Sequence, residues 1–132
     1  MTTVVDDWSG VEWLSDNMVE VVAVQELLSE PLSDNPGKLV QQLTRAEAWH
    51  SRMTKLLADA EARLDSAEYY ALMALPSDLT VVVKETTIKF AVVKDRRMRD
   101  IIAGIVESIK NRVILGMSLK KSFTAERSYH AT

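Results

Sequence analysis

The chain has 132 residues, of which 47% are apolar and 27% are charged, and it contains no cysteine. This length fits one domain, and this balance is typical of a folded protein rather than a disordered one. Disulfides and thiolate chemistry are excluded, and no apolar run approaches the roughly 20 residues of a membrane-spanning helix. The start of the chain lacks a basic segment and carries Asp6 and Asp7. We therefore expect no secretory signal and a cytoplasmic location.

Charge is distributed unevenly along the chain, although the net charge is only −3. Residues 1–37 contain eight acids and no Lys or Arg, residues 38–93 contain seven of each sign, and residues 94–132 contain nine bases and four acids. An acidic head and a basic tail favour either a nucleic-acid contact at one end or head-to-tail association between copies. The alternative is two solvated faces without a partner.

The first predicted helix covers residues 11–29 and has a broad apolar face. That face comprises Trp13, Leu14, Met18, Val21, Val22, Val24, Leu27 and Leu28. The β-branched residues among them weaken the prediction, because they lose rotamer freedom in a helix. Pro31 and the run Asp34-Asn35-Pro36-Gly37 have strong turn chemistry and end this element.

The second predicted helix, from about Lys38 to Met73, has the clearest pattern in the chain. Its apolar positions repeat with 4-3 spacing over five heptads: Leu39, Leu43, Ala46, His50, Met53, Leu57, Ala60, Leu64, Ala67 and Ala71. Such a helix is roughly 50 Å long, which is too long for the core helix of a compact domain of this size. It must therefore pair with another long helix, and Pro76-Ser77-Asp78 ends it.

The segment Leu79–Lys94 is ambiguous. It is rich in Val, Ile, Thr and Phe, as strands are, and Thr80 followed by Val83 is not a capping box. Composition alone slightly favours a strand over residues 80–93.

The last predicted helix repeats the 4-3 spacing with Met98, Ile102, Ile105, Ile109, Arg112, Gly116, Leu119 and Phe123. Ile101, Val106, Val113 and Leu115 widen this stripe, which indicates oligomerisation because so wide a stripe must contact more than one neighbour. The two long helices predict an antiparallel, coiled-coil-like hairpin, joined through residues 74–97. The predicted core or oligomer seam comprises Leu39, Leu43, Met53, Leu57, Leu64, Ile102, Ile105 and Ile109.

Three segments of the chain, taken in order, resemble the UvsY-type recombination mediators of T-even-like phages. They are ELLSEPLSDNPGKL, AWHSRM leading to EARLDSAEYY, and DIIAGIVESIKNR. Within them, Ala62-Arg63-Leu64-Asp65 followed by Tyr69-Tyr70 is similar to that family's Ala-Arg-Leu-Asp-Tyr-Tyr run. The resemblance extends from about residue 25 to residue 127.

The resemblance implies a helical protein that assembles into closed rings and binds single-stranded DNA. Such mediators help to load a RecA-like recombinase onto strands covered by single-strand-binding protein. The resemblance also favours helix over strand for residues 80–93, and it places Arg63 on the family's DNA-contact motif. Glu61 stands where the family has a Lys, and three residues separate Asp65 from the tyrosines. These differences make the basic carboxy-terminal region the better candidate for the DNA contact.

Single-strand binding needs positive charge along a groove and flat side chains on which bases stack. The candidate residues are Arg63, Lys84, Lys89, Lys94, Arg96, Arg97, Arg99, Lys110, Lys120 and Lys121, with Phe90 close to the first group. The alternative for such basic clusters is a solvated helix face. Arg112 lies on the apolar stripe, where we expect a structural ion pair with an acid of a neighbouring helix or, alternatively, a position facing a central channel.

We expect neither an enzyme nor a cofactor. The sequence has no Gly-rich phosphate loop and no Gly-x-Ser-x-Gly, and it has only two histidines. Glu47 and His50 have the Glu-x-x-His spacing of di-metal bundles, but a seam histidine is the favoured interpretation, so we predict no metal site.

We therefore predict one all-α domain over residues 1–132, with flexible segments at 1–10 and 126–132, that associates into an oligomer, most simply a ring. The predicted function is that of a mediator in phage DNA recombination, replication and repair, in the host cytoplasm. Its expected partners are single-stranded DNA, a RecA-like recombinase, single-strand-binding protein and further copies of itself. The alternative is a structural helical oligomer, such as a phage assembly scaffold or chaperone, without DNA affinity.

Overall fold

A computed structural model describes the backbone of residues 11–131 and the side chains of residues 16–127. It contains four helices: α1 (Val11–Ser29), α2 (Pro36–Met73), α3 (Val81–Ala91) and α4 (Val93–Ala131). The described residues contain no strand, so the all-α prediction is confirmed. Helix α4 extends to Ala131. The flexibility that we predicted for residues 126–132 stays a prediction. The other predicted flexible segment, 1–10, lies outside the described residues.

The turn between α1 and α2 is organised by two side chains. Asn35 caps α2, because its Oδ1 accepts a hydrogen bond from the Lys38 N–H at 3.1 Å. Gln42 is almost fully buried, and its Oε1 accepts from the Ser33 N–H at 2.8 Å. The Gln42 amide also donates to Glu30 Oε1 at 3.1 Å and to the Pro31 carbonyl at 3.0 Å. The turn was predicted from Pro and Asn residues, and the structure shows that the buried side-chain amide of Gln42 also holds it in place.

Residues 81–91 form a helix, so the strand that composition favoured is wrong. The Thr80 side chain accepts a hydrogen bond from the Val83 N–H at 3.3 Å and so caps the helix, although no capping box is present. The hydroxyls of Thr86 and Thr87 donate to carbonyls four residues earlier in the same helix. The two threonines are accommodated in the helix because their hydroxyls bond to backbone carbonyls of the preceding turn.

Helices α2 and α4 form an antiparallel pair. Leu43, early in α2, packs over Gly116, late in α4. Arg63, late in α2, lies close enough to Asp95 at the start of α4 to act on its carboxyl group. Burial raises the pKa of Asp95, and the Arg63 charge opposes that rise. The predicted hairpin pairing is therefore present within one chain.

The core follows the predicted seam closely. Its buried members are Leu39, Leu43, Met53, Leu64, Ile102, Ile105 and Ile109. Leu57 is only half-buried, and Leu56 is buried in its place beside the core. Leu56 shares its cluster with Val21, Val24 and Leu27 of α1, which packs on one side of the hairpin. Full burial of each such side chain contributes roughly 1.5–3 kcal/mol.

Helix α1 is also tied to α2 by charge. The Arg52 guanidinium lies 2.7 Å from Glu20 Oε1, and that of Arg45 lies 3.5 Å from Glu30 Oε1. These exposed pairs contribute little energy, on the order of 0–1 kcal/mol each, but they define an antiparallel direction for α1 against α2. No helix within the described residues is long and apolar enough to cross a membrane.

A single residue separates α3 from α4. Val92 has φ −109° and ψ 17°, outside the helical range, and its side chain is buried. Its N–H still donates to the Ile88 carbonyl at 3.1 Å, and the Arg96 N–H donates to the Val92 carbonyl at 2.9 Å. The two helices are therefore one kinked segment, with α3 packed against α2.

Candidate nucleic-acid interface

The ten candidate DNA-binding residues differ widely in exposure. The exposed ones are Lys89, Lys94, Arg97, Lys110, Lys120 and Lys121, and the half-buried ones are Arg63, Lys84, Arg96 and Arg99. An exposed cation can approach a phosphate without losing an existing partner, whereas a buried or paired one cannot. Exposure and ion pairing therefore determine which of these residues are most available to bind a phosphate.

Arg63 is the least available of the ten. Its side chain is only 14% exposed, and its Nε lies 3.3 Å from Asp59 Oδ2. The carboxyl group of Asp95 lies nearby across the hairpin. The residue that the resemblance assigns to DNA contact is thus occupied with two acids of its own chain.

Arg99 is also paired, because its Nε donates to Asp100 Oδ1 at 2.6 Å. The eight other candidates form no ion pair with a side chain that the structure describes: Lys84, Lys89, Lys94, Arg96, Arg97, Lys110, Lys120 and Lys121. Sequence reasoning could not separate these two groups, because pairing depends on which acids share a helix face.

Arg96 and Arg97 line an open groove of about 390 Å³ on the first turns of α4. Val93, Asp100 and Ile101 complete its lining, and we call these five residues the arginine groove. The spacing of three and four residues explains why these side chains meet on one side of the helix. Two guanidinium groups stand beside two aliphatic side chains, and the one carboxylate of the groove, that of Asp100, is paired with Arg99. The guanidinium groups suit a phosphate and the aliphatic side chains suit the flat face of a base.

Phe90 lies three residues before the arginine groove, across the kink at Val92. Its side chain is 82% exposed, the highest exposure of any large apolar residue in the described part of the chain. A phenylalanine so exposed contributes nothing to the core of the protomer. It is a flat ring available for stacking next to unpaired cations.

Two further aromatic rings occupy the same end of the hairpin. Tyr69 and Tyr70 lie in the last turns of α2, and both are more than half exposed. Their rings meet edge to face, with centroids 5.4 Å apart and an interplanar angle of 78°. Helix α3 begins close to the end of α2, and Asp95 at the start of α4 lies near Arg63, which precedes these tyrosines along α2.

Further cations continue along α4. Arg99, Lys110 and Lys121 are spaced by eleven residues, which is close to three helical turns, so they lie in one row about 16 Å apart. Lys120 adjoins the last of them. The row runs along α4 on a side of the helix about a third of a turn from the arginine groove.

Arg112 does not form the ion pair that we expected. Its Nε and Nη2 are buried and have no hydrogen-bond partner among the described residues. The pKa of Glu30 is lowered, first by the hydrogen bond from Gln42, and then by the charges of Arg45 and Arg112. Arg112 therefore acts on an acid of the α1–α2 turn from a distance.

The Glu-x-x-His motif does not assemble a metal site in the described part of the chain. Glu47 is exposed and His50 is half-buried in the seam. No group of three or more His, Cys, Asp or Glu side chains that could hold a metal ion occurs among the described residues.

No protein-family model matches the chain, and no curated protein or solved structure matches it either.

Proposed function

We propose that this chain is a phage homologous-recombination mediator. It binds single-stranded DNA and assists loading of a RecA-like recombinase onto strands covered by single-strand-binding protein. The observation that carries the proposal is the arginine groove, in which unpaired Arg96 and Arg97 stand beside aliphatic side chains, with exposed Phe90 three residues before the groove in the chain. The resemblance of the chain to UvsY-type mediators supplies the biological role.

The arginine groove suits single strands better than duplexes for a physical reason. Cations at a groove attract the phosphates of either form, but only an unpaired strand can turn its bases onto an exposed ring. Stacking on an aromatic side chain is worth about 1–3 kcal/mol per base. Phe90, Tyr69 and Tyr70 offer such rings at the same end of the hairpin as the groove.

Self-association completes the proposed function. The net charge of −3 is unfavourable for DNA binding by one protomer, but several copies place several basic surfaces on one strand. The acidic α1 is available to the recombinase, to single-strand-binding protein or to the next subunit. The protein acts without a cofactor, in the host cytoplasm.

The test is fluorescence anisotropy of labelled single-stranded and duplex oligonucleotides at several salt concentrations. We expect tighter binding to the single strand, with an affinity that falls as salt rises. The double variant Arg96→Ala/Arg97→Ala removes two phosphate contacts, so the slope of log K against log salt decreases by about 1.4. The matched control is Lys38→Ala/Lys55→Ala, which makes the same change in net charge at two exposed positions of α2.

The aromatic contribution is tested separately with Phe90→Ala. We expect weaker single-strand binding, by about 1–3 kcal/mol, with an unchanged salt slope, because no charge is removed. If the arginine variant and its control lose equal affinity, binding follows net charge and the arginine groove is not the site.

The competing function is a structural helical oligomer without DNA affinity. Exposed apolar side chains such as Val82, Ile114 and Leu115 favour it, since each is more than half exposed in the protomer. An assembled protein that binds no oligonucleotide at low salt would establish this alternative and remove the mediator proposal. Recombinase loading onto strands covered by single-strand-binding protein is the subsequent assay for a protein that does bind.

A further inference from the structure

Helix α1 is apolar on two opposite faces. Val21, Val24 and Leu27 are buried against the hairpin, whereas Val19 and Val22 point to solvent and are 75% and 46% exposed. Met18 adjoins them and is 40% exposed. Exposed apolar side chains clustered on one side of a helix typically mark a contact with another molecule. The protomer covers only one side, and we call Met18, Val19 and Val22 the outer face of α1.

Helix α3 also has apolar side chains that the protomer leaves uncovered, and to a greater extent than α1. It has 11 residues and none of them is buried. An isolated helix of this length is marginal in water, so packing must supply most of its stability. Its first turn carries Val81, Val82 and Val83, which are 69%, 71% and 45% exposed and which we call the valine patch.

The outer face of α1 and the valine patch do not cover each other within one chain, because both are exposed in the protomer. Both are apolar, with three apolar side chains each. We propose that the outer face of α1 in one copy packs on the valine patch of a second copy. The proposal deepens the self-association included in the proposed function, and it does not depend on DNA binding.

Charge decides between head-to-tail and symmetric pairing. Helix α1 carries four acids and no base, whereas residues 81–97 carry five bases and two acids. Pairing two copies through α1, or two copies through the valine patch, would bring like charges together, which costs energy and slows encounter. Contact between α1 and the valine patch brings opposite charges together instead.

A head-to-tail contact has a geometric consequence. After two copies pair, one copy retains a free valine patch and the other a free outer face of α1, so the contact propagates until it closes into a ring or continues as a filament. The site on each copy is incomplete without its neighbour, because α3 gains its missing cover only from the α1 of the next copy.

The first experiment measures oligomer mass by light scattering after gel filtration, for the full chain without DNA. We expect Val22→Asp and Val82→Asp each to reduce the assembled protein to monomer. The control is Val40→Asp, which introduces the same charge at a valine of similar exposure, 43%, on α2. Circular dichroism of each variant verifies that the protomers remain helical.

Mixing the two variants gives the sharper test. Val22→Asp leaves the valine patch intact, and Val82→Asp leaves the outer face of α1 intact, so a head-to-tail contact predicts a heterodimer and nothing larger. Charge reversal provides a second route: Glu26→Lys and Lys89→Glu each weaken association, by roughly tenfold, and together restore it.

Each outcome bears on a definite claim. A wild-type protein that is monomeric at every concentration overturns this contact together with the proposed self-association. An oligomer whose mass is unchanged by Val22→Asp and Val82→Asp overturns the contact alone, as does a mixture of those variants that stays monomeric. The DNA titrations with Arg96 and Arg97 variants report on the other part of the proposed function.

Discussion

Two glycines of α4 have opposite surroundings, and the same substitution at each should have opposite effects on stability. A Cβ added to Gly104 meets nothing within 4 Å. A Cβ added to Gly116 would overlap Leu43 Cδ2 and lie 3.2 Å from Leu43 Cγ. Gly104→Ala therefore tests helix propensity alone, whereas Gly116→Ala adds a steric conflict where α2 and α4 pack together.

The expected magnitudes follow from two opposing terms. Replacing Gly by Ala inside a helix stabilises it by about 0.8–1.0 kcal/mol, and Gly104→Ala should show this gain. Forcing a methyl group into a packed contact costs about 1–3 kcal/mol, which at Gly116 exceeds the propensity gain. We expect Gly116→Ala to be destabilised by up to roughly 2 kcal/mol, since Leu43 can relieve part of the conflict by changing rotamer.

The assay is urea unfolding followed by circular dichroism at 222 nm, with both variants and wild type at one protein concentration. A fixed concentration is required because association shifts apparent stability. If Gly116→Ala is stabilised as much as Gly104→Ala, the close approach of Leu43 to α4 is refuted. The double variant Gly116→Ala/Leu43→Ala should recover the propensity gain at residue 116, relative to Leu43→Ala alone.

Three further outcomes are expected. Thr80→Ala removes the cap of α3, costing about 1 kcal/mol locally, so amides of α3 should exchange faster with solvent while Thr80→Ser leaves them unchanged. Gln42→Met leaves the Ser33 N–H without its partner, and we expect a loss of about 1–3 kcal/mol in urea unfolding; equal stability would show that water replaces the amide. The pKa of Glu30 is lowered from 4.5 in the folded state. Ionised Glu30 therefore stabilises the folded state above pH 4.5, and this stabilisation is lost as pH falls through the folded pKa. Glu30→Gln should therefore lose less stability than wild type when acidified below about pH 4.5, measured as the urea midpoint across a pH series; parallel curves would contradict the cause assigned to the shift.

Much of the hairpin was predictable because its signal is periodic. The 4-3 spacing identified buried residues on both long helices, such as Leu64 and Ile109. It missed Leu56, which lies off the seam and is buried in the cluster to which α1 also contributes. The spacing of apolar residues in α2 and α4 indicates only the face with which each packs on the other. It does not indicate where α1 packs on the pair.

The connecting segment was mispredicted because composition and context disagree there. Val81–Val83 and Thr86–Thr87 are typical of strands, but the Thr80 cap and packing against α2 make the segment helical. The sequence was sufficient to predict which basic residues form the candidate site, but not how their side chains are arranged or paired. Which cations are free depends on neighbouring acids, as the pairs of Arg63 with Asp59 and Arg99 with Asp100 illustrate.

The kink at Val92 couples the orientation of α3 to that of α4. Hydrogen bonds continue on both sides of this residue, so rotating α4 about its axis also rotates α3. Moving φ from −109° and ψ from 17° to helical values would take changes of roughly 45–60° and would straighten the segment. A straight segment would draw the buried Val92 side chain and α3 away from α2. The φ and ψ angles of Val92 therefore set the direction of α3 relative to α4, and a proline at residue 92 would disturb this geometry because it removes the N–H that donates to Ile88.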